Sequence, residues 1–267
     1  MTMIIGIAHP RGLVVAADGE ESGPTHKRSV SKLVPMQCSN GSSLIIGGAG
    51  PAYLVDAVIP RLQADFIGAT TEEWQNFEGL LRKRLKRFYA EHVLSWPSPE
   101  ERESNDFSLL LGVATKDSGG QYLHRLLVAE RGVLREEGPY AAVGVAEVHA
   151  KSLIDEYLSL RPNLLVAVIA AYVLHRIKGD TNWVGKQTEI FRIENGSVSL
   201  IHSSHVEKLE DLFKTYEYAK VRHFLTIFSV GFSAVDTGHD SKIQEEMGKL
   251  RGEFRKLIER INDPTKL

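Results

Sequence analysis

The sequence predicts an α+β protein of layered sheets and helices, followed by a mostly helical C-terminal extension. Two observations predict this. Strand and helix signals come in blocks, strands then two helices then strands then two helices then strands, unlike the strict alternation of a doubly wound fold. Beyond about residue 204 the strand signals give way to helical spacing. A chain of 267 residues can bury a large core. Its organisation reads as one domain over 2–203 with an appendage over 204–267.

The first element organises the rest. Two apolar runs, Met3–Ala8 and Leu13–Ala17, flank His9-Pro10-Arg11-Gly12, which reads as a β-hairpin at the start of the chain. If the turn centres on Pro10, Thr2 falls opposite Asp18, and opposed residues share a face. A slip of one residue would undo this. Thr2 is small enough that Met1 is expected to be trimmed, which frees an α-amine on Thr2. Such an amine has a reference pKa of about 7.7–8.0, close to what a general base needs at neutral pH. Hydroxyl and base would then share one residue, as in the threonine/N-terminal-amine nucleophiles.

After the hairpin, Gly19 to Arg28 is polar and contains Gly23-Pro24, so it reads as a loop. Val30 to Met36 reads as a strand with Lys32, Val34 and Met36 on one face. Ser43 to Ile46 leads into Gly47-Gly48-Ala49-Gly50-Pro51, and Ala52 to Phe66 carries a helical stripe of Leu54, Val55, Val58, Ile59 and Leu62. A second helix is expected from Thr71, its N-cap, with Trp74, Phe77, Leu81, Leu85 and Phe88 behind it. Its basic cluster, Arg82-Lys83-Arg84 and Lys86-Arg87, reads as a solvated face or subunit contact, since nothing else in the chain is basic. Pro97 to Asp106 reads as a charged loop.

Phe107 to Thr115, Gln121 to Glu130 and the stretch around Val133-Leu134 read as a β meander. Two helices follow, about Gly144 to Leu160 and Asn163 to Lys178, split by Arg161-Pro162. Gln187 to Ile193 and Val198 to His202 form a closing hairpin around Asn195-Gly196. A mixed segment then runs to Val235, with a polar break over Asp236 to Asp240. The last helix, Ser241 to Ile261, carries apolar residues at helical spacing and suits a partner or self-packing.

Composition narrows the function classes. A net charge of −2 gives no reason to expect nucleic acid or an anionic membrane as partner. The single cysteine, Cys38, excludes an internal disulfide and suits a reducing compartment. No secretory h-region fits before His9-Pro10-Arg11, and Leu164 to Leu174 is too short to span a bilayer. A cytoplasmic protein is the expectation. The ten histidines show no metal-ligand spacing, so no metal and no organic cofactor is expected.

Four motifs in order carry a family resemblance: Thr2-x-Ile4-Ile5-Gly6-Ile7 with Gly12-Leu13-Val14-Val15-Ala16-Ala17-Asp18, Ser31-Lys32-Leu33, Ile46-Gly47-Gly48-Ala49-Gly50-Pro51-Ala52, and Tyr140-Ala141-Ala142-Val143-Gly144. Together they resemble the β subunits of the proteasome and their bacterial relatives, the N-terminal-nucleophile hydrolases, over roughly 2–203. The resemblance implies a four-layer αββα sandwich. It implies Thr2 as nucleophile, Asp18 as orienting carboxylate, Lys32 as the ammonium beside the threonine oxygen, Gly50 N–H as oxyanion donor and Asp180 as supporting aspartate. A nearby Lys⁺ disfavours a second positive charge and so lowers the pKa of the amine, while Asp18 compensates the lysine. The substrate side would be shaped by Gly47, Gly48 and Ala52, with Gly47 leaving room for a large apolar side chain. The rival reading of the glycines as a phosphate cradle lacks both the third glycine of a dinucleotide fingerprint and the Lys-Ser/Thr of a P-loop.

There are departures. Val145 stands where the family has serine, Trp183 where a second serine is expected, and Glu20 where arginine is usual. Three readings follow. The first is a threonine-type endopeptidase acting on peptides or unfolded protein, in a homo-oligomeric ring or related assembly, with room for an ATPase unfoldase. The second is a ring-forming subunit with an idle site. The third is an amidase acting on a small-molecule amide.

Overall fold

The N-terminal hairpin forms where its apolar runs place it, but one residue out of the expected register. Strands β1 (Met3–His9) and β2 (Gly12–Asp18) pair Ile4 with Ala17 and His9 with Gly12. Continuing that ladder brings Met3, not Thr2, across from Asp18. The cause is the turn: Pro10-Arg11 closes the strands as a two-residue loop, whereas a turn centred on Pro10 needs three.

The computed structural model describes residues 2–22, 27–38, 41–67, 76–117, 119–160, 166–181, 184–185, 187–230 and 238–262. They fall into two compact units, Met1–Ile201 and His202–Leu267. In the first unit β2 is buried at every residue because it lies mid-sheet. That antiparallel sheet runs β10 (Tyr140–Gly144), β1, β2, β11 (Thr188–Glu194), β12 (Ser197–Leu200). A second antiparallel sheet runs β5 (Leu33–Gln37), β6 (Ser43–Ala49), β7 (Ser108–Lys116), β8 (Tyr122–Glu130), β9 (Val133–Glu137).

Period-two alternation gives each sheet two apolar faces. Ile4, Leu13, Val15 and Ala17 of the first sheet share one core with Leu33, Ile45, Leu110 and Leu126 of the second. On the other side of the second sheet, Leu44, Ile46, Leu109 and Leu111 pack with helices α1 (Ala52–Ile67) and α2 (Phe77–His92), through Leu54, Val58, Leu62, Leu81 and Leu85. Helix α4 (Glu147–Leu160) lies against β10, and α5 (Val166–Asp180) against β1, β2 and β11. Eight residues of α5 are buried, from Ala167 to Ile177, as its unbroken apolar run requires.

Several elements differ from expectation. Part of the polar stretch after Gly19 forms a short ribbon, β3 (Glu20–Ser22) with β4 (Lys27–Ser29). Strand β5 starts at Leu33, so Lys32 precedes it and does not join Val34 and Met36 on a strand face. The motif Tyr140–Gly144 is an edge strand beside β1, where only the following helix was expected. Within the expected 97–106 loop, α3 (Pro99–Ser104) forms one helical turn and a half. Ser98 and Glu101 make a reciprocal capping box at its start, with Pro99 at the first turn. Ser98→Ala should therefore cost about 1 kcal/mol in chemical denaturation. The expected Thr71 cap with Trp74, and the Arg161-Pro162 break, lie outside the described residues.

In the second unit the mixed segment expected after residue 204 is one helix, α6 (Ser203–Val230), followed by α7 (Gly238–Asn262). His202 Nδ1 accepts the Ser204 N–H at 3.2 Å at the start of α6. The Phe213 and Phe254 rings meet at 5.7 Å between the two helices. Among the described residues, no helix is long and apolar enough to cross a membrane.

Candidate functional site

Asp18 ends the buried strand β2 and is itself 0% exposed. A carboxylate there needs partners, since burying one unpaired costs far more than any single packing contact returns. Its Oδ1 accepts the Met3 N–H at 2.8 Å, and its Oδ2 accepts the N–H of Glu20 at 3.2 Å and of Gly185 at 3.5 Å. The Lys32 ammonium donates to both oxygens at 3.0 Å. Lys32 is 6% exposed in its side chain and also donates to the Glu20 carbonyl. Because Lys32 immediately precedes β5, this ion pair joins the two sheets at one end.

The Thr2–Met3 peptide is held from both sides. The Met3 N–H points at Asp18, and the Thr2 carbonyl accepts the Val145 N–H at 3.1 Å. That second contact depends on Gly144, at φ +115°, because a Cβ there would lie 2.0 Å from the Thr2 oxygen. Thr2 is half-buried. Thr2 lies just ahead of β1, and the ladder sets Asp18 across from Met3, on the face of that residue. The expected direct pairing of Thr2 with Asp18 is thus replaced by a bond from Asp18 to the peptide that follows Thr2.

Gly50 lies between β6 and α1 at φ +134°. A Cβ there would stand 2.8 Å from the Asp106 carbonyl and 2.9 Å from Phe107. Gly50→Ala should cost about 1–3 kcal/mol in denaturant titration, from backbone strain and this close approach. Ala52 is exposed at the first position of α1. Gly47 does not stand beside open space: a Cβ would meet Leu33 Cδ2 at 2.7 Å and Ile4 Cδ1 at 2.8 Å, so core side chains fill the room expected there. At Gly48 the obstacle is Val55 Cγ1, at 2.5 Å.

Asp180 stands apart from this group. It ends α5 with its side chain 44% exposed, facing His149 Nε2 at 3.7 Å, and no contact among the described residues links it to Asp18. Trp183 lies outside the described residues. Among them no group of three or more His, Cys, Asp or Glu side chains is placed to hold a metal ion. Burial pushes the Cys38 thiol above its ordinary pKa, which makes it a poorer nucleophile at neutral pH.

Thr188, Lys178 and Gly185, all near Asp18 or its partners, escaped sequence reasoning, whereas Glu20 stood out only as a departure from the family pattern. Thr188 is directly across the ladder from Asp18, and its hydroxyl accepts from Lys178 Nζ at 2.7 Å. Glu20 is 5% exposed, and a Cβ on Gly185 would run into its carboxylate. Spacing gave no sign of the Thr188 pairing, because β11 joins β2 across some 170 residues of chain. Chemically, the arrangement sets a buried carboxylate against the Thr2–Met3 peptide and an ammonium against that carboxylate, with a glycine turn before the helix that packs on the second sheet.

No family model and no curated protein matches the sequence. Solved structures do share the fold. Anbu (ancestral beta-subunit) from Yersinia bercovieri matches with a TM-score of 0.64 at 16% identity, over 84% of this chain and 97% of that one. Anbu from Hyphomicrobium sp. strain MC1 matches at 0.59 and 14% identity, over 88% and 98%. The helical assembly of the Anbu complex from Pseudomonas aeruginosa supplies a third match, at 0.62 and 15% identity, over 83% and 96%. At these identities the likeness is one of fold.

Proposed function

We propose that the chain is a threonine-type peptidase of a proteasome-like assembly, with Thr2 as nucleophile once Met1 is removed. The observation that carries this is the buried Lys32–Asp18 pair whose carboxylate grips the Thr2–Met3 peptide. An ammonium fixed there lowers the pKa of a neighbouring amine and stabilises a developing alkoxide, and Asp18 offsets its charge. In the reaction the Thr2 oxygen attacks a peptide carbonyl while its own amine takes the proton. The Gly50 N–H, at the opening of α1, stabilises the oxyanion; the intermediate collapses with cleavage of the C–N bond as the Thr2 ammonium passes its proton to the departing amine, and water, deprotonated by the same amine, then attacks the ester and frees the acid and the Thr2 hydroxyl. Two sheets sharing one core, with helices on their outer faces, support reading the first unit as a four-layer αββα sandwich of the N-terminal-nucleophile type. The Pseudomonas aeruginosa Anbu structure is a helical assembly, which supports self-association of this chain into a ring or an open spiral.

Two observations favour a second reading, an idle structural subunit. The space beside Gly47 is filled by Ile4 and Leu33, and Val145 brings no hydroxyl to Thr2. Intact-mass spectrometry separates the two. The peptidase reading expects a chain lacking Met1 that gains the mass of one peptide epoxyketone. Retention of Met1, or a processed chain that refuses the probe and cleaves neither casein nor fluorogenic peptides, would overturn it.

A further inference from the structure

The contact between Thr188 and Lys178 is a second polar feature of this neighbourhood. Thr188 is 3% exposed and directly opposite Asp18, so their Cβ atoms stand about 5 Å apart on one face of the sheet. Lys178 comes from the last turn of α5, the helix that covers that sheet, and its ammonium is seated on the Thr188 hydroxyl. Ordering a lysine side chain costs rotamer entropy, and a buried carboxylate one strand away offers a compensating attraction.

We infer that Lys178, seated on Thr188, is a positioning residue for the reaction at Thr2: a second ammonium beside Asp18, which holds that carboxylate aimed at the Thr2–Met3 peptide while Lys32 holds both its oxygens. This rests on the peptidase reading above. Lysine 178 acts through Thr188 and Asp18 and does not touch substrate. The other charged residues around Asp18 are Glu20 from β3 and Lys32 ahead of β5, while Glu189, next to Thr188, lies on the opposite face of the sheet and its carboxylate accepts from Ser31. On the helix of Lys178 itself are Arg176, which donates to Tyr172, and Asp180 opposite His149; on α4, Glu147 and Lys151 pair with each other.

The inference has a signature in pH that a merely structural role lacks. A cation lowers the pKa of a titrating neighbour, so removing Lys178 raises those of the Thr2 amine and of the Lys32 ammonium together. Both limbs of the pH profile then move the same way, to higher pH, by about one unit.

The experiment follows the rate at which the full-length, processed protein is labelled by a peptide epoxyketone from about pH 5 to 9. The variants are Lys178→Met, Lys178→Arg and Thr188→Val. We expect Lys178→Met to shift the whole profile upward by about one unit, Thr188→Val to shift it the same way by less, and Lys178→Arg to restore it. A wild-type protein that labels, with a Lys178→Met profile unmoved at whatever rate, overturns the inference and leaves the peptidase reading standing. Should Lys178→Met not fold, an unmoved Thr188→Val profile overturns it equally. A processed wild-type chain inert to the probe sinks the peptidase reading and the inference with it.

Discussion

Thr2→Ala should abolish peptide cleavage and probe labelling while leaving the fold intact, with the cleavage rate falling by about four orders of magnitude. The fold survives because the structure uses the backbone of this residue. Its carbonyl accepts from Val145, and the following N–H goes to Asp18, and alanine keeps both. The measurement is cleavage of a fluorogenic peptide panel beside the circular dichroism melt of each protein. Unchanged cleavage by Thr2→Ala would assign the nucleophile elsewhere.

The second large effect concerns the ion pair. Asp18→Ala removes the carboxylate that offsets the Lys32 ammonium, 6% exposed, and leaves the N–H groups of Met3, Glu20 and Gly185 without that acceptor. Removing one partner of such a pair costs about 3–5 kcal/mol, which is a large share of the stability of a domain. The double variant Asp18→Leu with Lys32→Met should recover much of that loss, since an apolar pair carries no desolvation penalty, yet it should remain inactive. Denaturant titration and the labelling assay on the same samples separate the two consequences. Activity in the double variant would remove both residues from the mechanism.

Where local chemistry decides, the sequence was readable. Asn195-Gly196 closes β11 and β12 as a two-residue loop with both residues at positive φ, as that dipeptide demands. The meander β7 to β9 lies where alternating apolar runs put it. The capping box at Ser98 was equally legible, as serine, proline and a glutamate three residues on, but the charge of the stretch concealed it. The misplaced register of the first hairpin has another cause. Turn length there is settled by how Met3 and Asp18 meet, and His-Pro-Arg-Gly accommodates two loop lengths.

Nonlocal contacts account for what could not be read. Lys32 looked like a strand residue because it adjoins one, and its role appears only when the two sheets are brought together. Thr188 and Lys178 are unremarkable letters until β11 is set beside β2. Gly47 reads as vacancy because a glycine lacks a side chain, whereas the side chains of Ile4 and Leu33 close over it.

The position of β11 also governs how the chain must be made. Strand β2 emerges early from the ribosome with β1 at one edge, while its other edge waits for residues 188–194. Until then a strand that is apolar up to its final Asp18 exposes unpaired backbone, a template for sticking to other nascent chains. Maturation is therefore gated by the arrival of the last strands, and chains cut short before Thr188 should accumulate as insoluble material.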